Sequence, residues 1–579
     1  MKNTYKKNLI NNIKKLVDKV DIVSFDIFDT LLFRCFVHPF DVFGYLEYFF
    51  EISGFKKARL DAESLARCNY SYKEEVTLKD IYNLMPEEFR FVEEYEQKLE
   101  LNVLKPNKQL LEIFNYAKEK GKKIIIISDM YLPKTLLKQA LDKNGFVGYD
   151  KLFISSEIGV RKSTGNLFKY VLRYLNVCPN KILHIGDNKN SDYKIPKKLG
   201  FKAFNYPYVT NLFFKEKNNF RFKQIYEKQI DNCLLSLLIG MQIIKWHNDE
   251  IASYWEKLGY SLGGIFIYSY VKFIVDTITK TDATDCLFIA RDGYMLSKVF
   301  SLFNEIKHIK NQYMYAPRFV RILGLRQGLE NPNYFNFFKN SILEHFPQYE
   351  NYSLTENNLN EFLEKEDIKQ FCTQILDQYK NYLTVIKLNG DKAYIVDAGS
   401  SSASSQSLLS LLLPNKIVAG FYFVLNKKNN IPAFVYDTSE MPLIFEEFIE
   451  FLITEPNTPV VGFKNKKPIL KDSNIYDEKN SKCIELLQKG EIAFCKDIKD
   501  ILNCFEKQIP SDFIKNYMNL FFEFSNQDDF KNLEYISWFY TPDNKKFVSF
   551  LEILKNKYNF SKRNNSCFIK KIFRRIFEV

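Results

Sequence analysis

The stretch IVSFDIFDTLL at residues 22–32 decides the fold of the first part of this chain. It opens with a short apolar run, which predicts a buried strand, and it ends in the polar residues Asp26, Asp29 and Thr30. Three more apolar runs also end in polar residues: KIIIIS at 123–128, KLFISS at 151–156 and KILHIG at 181–186. Helical patterns separate these runs, so we predict a parallel sheet covered by helices, with ligands at the carboxyl ends of its strands.

The segment between the first two predicted strands is long and mainly helical in pattern. It contains VFGYLEYFFEISG at 42–54 and EEFRFVEEYEQKLELNVL at 87–104. We therefore expect a small helical cap, inserted at about residues 35–120.

The rest of the chain is expected to form further domains, because a single core seldom grows beyond about 300 residues. A polar connector at 214–229 marks the first boundary, and we predict domains at 1–215, 216–465 and 466–579. Two strands, CLFIA at 286–290 and AYIV at 393–396, predict a second α/β domain. The last segment is rich in Lys and Asn and is predicted to be mostly helical.

One helical run raises the question of a membrane span. YSLGGIFIYSYVKFIVDTI at 260–278 is strongly apolar, but Lys272 and Asp276 interrupt it. Its 19 residues are marginal for a span, so the pattern favours a buried helix.

Composition and charge place the chain among cytoplasmic globular proteins. Hydrophobic residues make up 46% of it, and its ten cysteines form no CxxC pair, which is typical of a reduced compartment. The N-terminus has no continuous apolar core, so we expect no signal peptide. The net charge of +12 is modest for this length, and we expect no nucleic-acid partner.

The C-terminal tail at 562–579 alternates apolar and basic residues at helical spacing. Two interpretations stay open. One is a peripheral anchor on the anionic inner face of the cytoplasmic membrane, and the other is a terminal helix packed on its own protein.

Four motifs at predicted strand ends carry the chemistry: FDIFDTLL at 25–32, ISDMYLP at 127–133, VRKSTGNLF at 160–168 and HIGDNKNSD at 184–192. Asp26 is suited to attack phosphorus, Ser128 to donate to a phosphoryl oxygen and Lys162 to neutralise charge. Asp187 offers the hard oxygen ligand that Mg²⁺ prefers. Taken singly, each residue has a structural explanation, such as a helix cap or a solvated charge, but four such coincidences in this order are improbable.

This set of motifs resembles the haloacid dehalogenase (HAD) superfamily. The resemblance implies a parallel sheet of the Rossmann type with a helical cap that excludes water. It also implies that Mg²⁺ is bound by Asp26, the backbone carbonyl of Phe28 and Asp187, with Asp192 completing or orienting the metal shell.

The chain departs from the phosphatase pattern at one position. Phosphatases of the superfamily usually carry a second Asp two residues after the nucleophile, and here that residue is Phe28. Loss of a general acid costs about 10²- to 10⁴-fold in rate. Asp29 and Asp129 are alternative proton donors, although a continuing strand would point Asp29 to the opposite face.

The first three motifs together resemble a narrower group, the large multidomain HAD-like proteins of bacterial capsule and lipopolysaccharide loci. That resemblance extends to IARDGYML at 289–296, IVDAGSSSASSQSLL at 395–409 and FIEFLITEPNTPVVGF at 448–463. Arg291, Asp292, Asp397 and Ser400 are then candidates for binding an anion such as a nucleotide-sugar pyrophosphate. The alternative is that Asp292 makes a turn and the serines cap a helix.

Three functional hypotheses follow. The first is a Mg²⁺-dependent hydrolase or transferase that acts on a phosphorylated sugar or related intermediate in surface polysaccharide synthesis. The second is a glycosyl or phospho-sugar transferase in the second domain with a regulatory or inactive HAD domain, although no DxD follows a strand. The third is a non-catalytic scaffold at the membrane.

Overall fold

The computed structural model describes residues 2–251, 253–303, 305–398, 403–425, 431–437, 443–539, 547–549 and 552. The chain divides into two compact units. The first unit comprises residues 1–252 and 497–507, and the second comprises 253–496 and 508–579. The predicted division at 215 and 465 stays a prediction. Ser400 and the tail at 562–579 lie outside the described residues.

A five-stranded parallel sheet forms the centre of the first unit. Its order is β5-β4-β1-β6-β7, so β1 lies in the middle. The unit also contains the short antiparallel pair of β2 and β3. The strands are β1 Ile22–Phe25, β2 Leu32–Arg34, β3 Leu104–Pro106, β4 Lys123–Ser128, β5 Lys151–Ile154, β6 Ile182–Gly186 and β7 Lys202–Asn205.

The helices of the first unit are α1 Lys2–Val17, α2 Asp41–Phe50, α3 Phe55–Asn69, α4 Leu78–Tyr82, α5 Val92–Val103, α6 Lys108–Glu119, α7 Lys134–Lys143, α8 Ser155–Ile158, α9 Asn166–Leu175, α10 Ile195–Lys198, α11 Val209–Lys215, α12 Phe220–Lys228 and α13 Cys233–His247. On one face of the sheet, Phe153 of β5 and Ile182 of β6 are in one hydrophobic core with Phe168 of α9. The alternation of strands and helices that the sequence predicts is confirmed.

The cap is the helical insertion between β2 and β3, and it contains α2 to α5. The predicted insertion continued to about residue 120, but α6 belongs to the core layer. Phe114 of α6 packs on Phe25 of β1, with ring centroids 5.9 Å apart. Apolar spacing alone does not distinguish a cap helix from a helix that covers the sheet.

A second parallel sheet organises the second unit, in the order β12-β11-β10-β8-β9. Two antiparallel hairpins follow it in the chain. The strands are β8 Asp285–Ile289, β9 Lys310–Met314, β10 Ala393–Val396, β11 Ile417–Tyr422, β12 Ala433–Val435, β13 Val460–Lys464, β14 Lys467–Leu470, β15 Ser537–Phe539 and β16 Phe547–Ser549. The predicted second α/β region is confirmed.

Helices make up the rest of the second unit, including most of the described C-terminal region, as predicted. They are α14 Tyr254–Leu258, α15 Gly264–Ile278, α16 Gly293–Phe300, α17 Pro332–His345, α18 Leu359–Leu363, α19 Glu366–Leu383, α20 Ser404–Leu412, α21 Leu443–Ile453, α22 Ile475–Leu502, α23 Ser511–Glu523 and α24 Gln527–Tyr535. The last residues of α22, from 497 on, belong to the first unit. The segment Tyr254–Ile278 has the length and composition of a membrane span, but 89% of its most apolar window is buried inside the protein.

Candidate functional site

The polar residues of the four motifs gather at the carboxyl edge of the first sheet. Phe25 pairs with Ile126 and with Ile185, so the residues that follow β1, β4 and β6 leave the sheet at the same edge. The amide of Asp26 donates to the carbonyl of Ile185 (2.9 Å), which ties the start of this loop to the neighbouring strand. Ser128 is buried at the end of β4, beside this loop.

Lys162 lies at the centre of the site. Its Nζ donates to Asp26 Oδ1 (2.7 Å) and to Asp192 Oδ1 (2.6 Å), and all three side chains are buried. Burial opposes the charged form of Lys162, but Asp192 and Asp26 hold its pKa above the ordinary value. The ammonium therefore stays charged beside the expected nucleophile.

His184, in the strand before Asp187, supports Asp192. Its Nε2 lies 3.2 Å from Asp192 Oδ1 and its Nδ1 lies 2.8 Å from Ser24 Oγ. Burial favours the uncharged form of Asp192, but Lys162 and His184 outweigh this effect and lower the pKa of Asp192. Burial also lowers the pKa of His184, which favours its neutral form.

Three carboxylates fit a divalent cation. Ligand atoms of Asp26, Asp187 and Asp192 all lie within 4.8 Å of one another. Burial and the nearby carboxylates, Asp26 first among them, raise the pKa of Asp187 to about 8. Burial also raises the pKa of Asp26 to about 6, although Lys162 opposes this shift. A Mg²⁺ ion would relieve this repulsion, and hard carboxylate oxygens are the ligands it prefers.

The loop after the nucleophile turns sharply, and this turn changes the expectation for Asp29. The φ angle of Asp29 is 54°, and its amide donates to the carbonyl of Leu32 (2.9 Å). Strand alternation therefore does not apply to it. Burial raises the pKa of Asp29, and the positive charges of Arg34 and His38 oppose this shift.

Phe28 occupies the place of the usual second Asp. Its ring is buried, and the guanidinium carbon of Arg34 lies 4.1 Å from the ring centroid. Arg34 in turn donates through Nε to both carboxylate oxygens of Glu100 in the cap (3.1 and 3.0 Å). At this position the chain therefore has an aromatic ring, in contact with an arginine that binds the cap, where the phosphatase pattern has a carboxyl group that donates a proton. The role of the Phe28 carbonyl in metal binding stays a prediction.

Asp129 has a structural partner in the lysine loop. Its carboxylate accepts from the backbone amides of Lys162 (2.7 Å) and Ser163 (3.4 Å). This contact positions the loop that carries Lys162, and it favours a supporting role for Asp129 over proton donation.

The cap contacts the lysine loop through two adjacent glutamates. Glu75 accepts from Arg161 (Nη2 to Oε1, 2.8 Å), Arg67 (2.5 Å) and Ser155 (3.2 Å). Glu74 accepts from the backbone amide of Arg161 (2.7 Å). The position of the cap is thereby coupled to the position of Lys162.

Sequence reasoning missed Arg34, Glu74, Glu75 and His184. His184 stands inside a recognised motif, three residues before Asp187, and its place on a buried strand was a usable signal. The other three follow no motif, because their partners come from distant parts of the chain.

The candidates of the second unit lie at its own sheet edge. Arg291 and Asp292 directly follow β8, and Asp397 directly follows β10, the strand that pairs with β8. Their role as ligand-binding residues stays a prediction.

Comparison with known proteins finds similarity over part of the chain. Residues 20–200 match the family model of haloacid dehalogenase-like hydrolases. An L-2-haloacid dehalogenase from Xanthobacter autotrophicus is 16% identical, and the alignment covers 38% of this chain and 87% of that chain, with a TM-score of 0.26. A HAD family enzyme from Bacteroides thetaiotaomicron, crystallised with magnesium and inorganic phosphate, is 10% identical over 32% of this chain and 93% of that chain, with a TM-score of 0.24. No curated protein matches the chain.

Proposed function

Because residues 20–200 form a haloacid dehalogenase-like hydrolase domain, we propose that they hydrolyse a phosphate ester with the help of Mg²⁺. The substrate we propose is a phosphorylated sugar or a related intermediate of bacterial surface polysaccharide synthesis. One observation carries the chemistry: Lys162 Nζ lies 2.7 Å from Asp26 Oδ1, beside a cluster of three carboxylates.

Asp26 is the proposed nucleophile. One of its carboxylate oxygens forms a bond to phosphorus, while the bond between phosphorus and the leaving oxygen breaks and its electron pair stays on that oxygen. Water then attacks phosphorus, which releases inorganic phosphate and restores the Asp26 carboxylate. Lys162 neutralises charge on the phosphoryl oxygens, and Ser128 donates a hydrogen bond to one of them.

Asp26, Asp187 and Asp192 would hold the Mg²⁺ ion. When bound, the ion supplies positive charge against the phosphoryl oxygens and reduces repulsion between the phosphate and the Asp26 carboxylate. Asp192 is held by Lys162, by His184 and by the amide of Asn188 (3.1 Å), so it is oriented by the protein alone.

Asp29 is the proposed proton donor for the leaving oxygen. It lies on the same loop as Asp26, burial raises its pKa and so favours the protonated form, and Phe28 has no proton to give. Asp129 is the weaker candidate because two backbone amides already hold its carboxylate.

Phosphate release from a panel of sugar phosphates, measured on the full chain with Mg²⁺, tests the proposal. The change Asp26→Asn should abolish release, because an amide is not a nucleophile toward phosphorus. Asp142→Asn is the matched control, since Asp142 is an exposed residue on α7 and should leave the rate unchanged. Equal activity of wild type and Asp26→Asn would contradict the proposal.

A comparison of leaving groups tests Asp29. With a sugar phosphate the leaving alkoxide needs a proton, whereas nitrophenolate leaves readily without one. Asp29→Asn should therefore slow release from the sugar phosphate by about 10²-fold and slow release from nitrophenyl phosphate far less. An equal loss on both substrates would assign Asp29 a structural role.

A further inference from the structure

The second sheet has a topological switch point at its centre. Counted in chain order from β8, the strands of this sheet lie in the order 2-1-3-4-5, and the connections leave in opposite directions from the first and third of them. In open parallel sheets of this order, ligands bind at the carboxyl ends of those two strands. Here these strands are β8 and β10, which end at Ile289 and Val396.

Charged side chains of both signs meet at this edge. Asp292 follows β8 and Asp397 follows β10, and burial together with the Asp292 carboxylate raises the pKa of Asp397 to about 7. A hydrogen bond from Ser405 and the positive charge of Arg318, which comes after β9 in the chain, oppose this rise. Asp397 is only 5% exposed.

Two buried polar atoms at the same edge have no hydrogen-bond partner among the described residues. One is the hydroxyl of Tyr270, whose side chain is fully buried on α15, and the other is Nε of Arg291. Burial raises the pKa of Tyr270 well above its ordinary value, and the carboxyl groups of Asp397 and Asp292 raise it further. Native proteins rarely leave such atoms unsatisfied, so these two indicate a ligand or ordered water that completes the site.

Aromatic side chains border the charged groups. The rings of Tyr294 and Tyr313 have centroids 5.7 Å apart. Burial raises the pKa of Tyr313, and the positive charge of Arg291 opposes this rise. The hydroxyl of Tyr313 donates to Glu455 (2.9 Å), and Tyr315 also donates to Glu455. Tyrosine rings with fixed polar ends are suited to contact a ligand that has both apolar and polar faces.

The balance of charge narrows the ligand class. The described residues of this edge contribute the guanidinium groups of Arg291 and Arg318 and the ammonium group of Lys298, which lies 3.8 Å from the ring centroid of Tyr294. Against these stand the carboxyl groups of Asp292, Asp397 and Glu455. This edge has no excess of positive charge to attract a pyrophosphate. Among the described residues, the one cluster of three side chains that could bind a metal ion is in the first unit, so this edge contributes no such cluster.

We propose that this edge of the second sheet binds a neutral polyhydroxyl ligand, namely a hexose unit of a carbohydrate. Hydroxyl groups of a hexose donate to the carboxylates of Asp292 and Asp397, and they accept from Tyr270 and Arg291. One hexose molecule thereby hydrogen bonds to both unpartnered atoms, the Tyr270 hydroxyl and Arg291 Nε. The residues of this site belong to the second unit, whereas the residues of the proposed phosphoryl chemistry belong to the first.

Ligand-observed NMR on the full chain tests the site. Saturation transfer reports binding of a panel of methyl hexosides and of UDP, and ³¹P line broadening reports binding of pyrophosphate with Mg²⁺. At least one hexoside should receive saturation. Asp397→Asn should weaken its binding about tenfold or more, and Tyr270→Phe about fivefold.

Tyr270→Phe separates ligand binding from folding. Removing a buried hydroxyl that has no protein partner leaves stability unchanged or slightly raised, so loss of binding by this variant has no explanation in misfolding. Tyr268→Phe is the matched control, because Tyr268 is equally buried on the same helix and should leave hexoside binding unchanged.

Three results would overturn the proposal. They are binding of UDP or pyrophosphate without any hexoside, unchanged hexoside binding by the Asp397 and Tyr270 variants, and absence of saturation for every hexoside. Asp26→Asn should bind hexosides like wild type, so a failure of the phosphatase proposal leaves this test intact.

Discussion

The two parallel sheets bring polar side chains to their carboxyl edges in different ways. At the first edge the charged groups bind one another: Lys162 joins Asp26 to Asp192, and Asp129 holds the Lys162 loop. At the second edge the Tyr270 hydroxyl and Arg291 Nε have no partner among the described residues. The first edge is thus organised by the protein before any ligand arrives, whereas the second leaves hydrogen bonds for a ligand or ordered water to complete.

This difference has an energetic basis. A buried ion pair is tolerated when every charge is paired, and loss of one partner leaves a buried charge uncompensated, at a cost of about 3–5 kcal/mol. A neutral unsatisfied hydroxyl costs less, about 1–3 kcal/mol. Mutations at the first edge should therefore have larger effects than mutations at the second.

Lys162→Met should have the largest effect. It leaves Asp26 and Asp192 buried without their cation, so we expect phosphate release to fall about 10²- to 10³-fold and the first unit to lose about 3 kcal/mol of stability. Phosphate release and chemical unfolding followed by circular dichroism measure the two effects.

The control for Lys162 is a lysine pair at the surface. Lys134 binds Glu157 at 2.7 Å, with both side chains partly exposed, and such pairs contribute less than about 1 kcal/mol. Lys134→Met should therefore change neither measurement appreciably. If Lys162→Met behaves like Lys134→Met, the first edge is not organised around the lysine.

Glu75→Gln should have an intermediate effect. The change keeps the shape of the side chain but removes the charge that Arg67 and Arg161 share, so the cap holds the Lys162 loop less firmly. We expect kcat to fall about tenfold with a smaller change in KM, because displacement of a catalytic group affects the transition state most.

Hydrogen exchange in residues 158–166 provides the structural measurement for this variant. Exchange should accelerate in Glu75→Gln and stay unchanged in Glu157→Gln, which breaks a surface pair. Unchanged exchange and unchanged kcat in Glu75→Gln would show that the cap does not position the lysine.

The sequence predicts the first edge better than the second because its motifs sit directly at strand ends. Asp26, Ser128 and Asp187 each follow or end a buried apolar run, and parallel strands bring such ends together. The left-handed turn at Asp29 was not predictable from strand periodicity.

Contacts between segments that are distant in the chain were not predictable from the sequence. The pairing of Arg34 with Glu100 and of Arg161 with Glu75 depends on how the cap folds back on the sheet, which local patterns do not encode. The unpartnered Tyr270 is likewise invisible in sequence, since its position on an apolar helix predicts only burial.

The smallest expected effect concerns Glu491, in the interior of the second unit. It is fully buried on α22, and neither carboxyl oxygen has a hydrogen-bond partner among the described residues. A Cβ atom on Gly263 would lie 2.1 Å from Glu491 Oε1, so the glycine allows the carboxyl to pack against the helix backbone. Burial raises the pKa of Glu491 well above its ordinary value of 4.5.

The sign of the pH dependence follows from this raised pKa. Below the pKa that Glu491 has in the unfolded protein, its carboxyl is protonated in both the folded and the unfolded state. At such a pH this group takes nothing from the stability of the second unit. As pH rises from there toward the folded pKa, the unfolded state releases its proton while the folded state keeps it, so stability falls by up to about 1.4 kcal/mol per pH unit. Glu491→Gln removes this contribution. Its melting temperature, measured from about pH 5 to pH 7, should therefore fall less steeply than that of wild type. Parallel profiles would mean that the folded protein stabilises the Glu491 carboxylate, in which case the second unit, like the first, would compensate its buried charge.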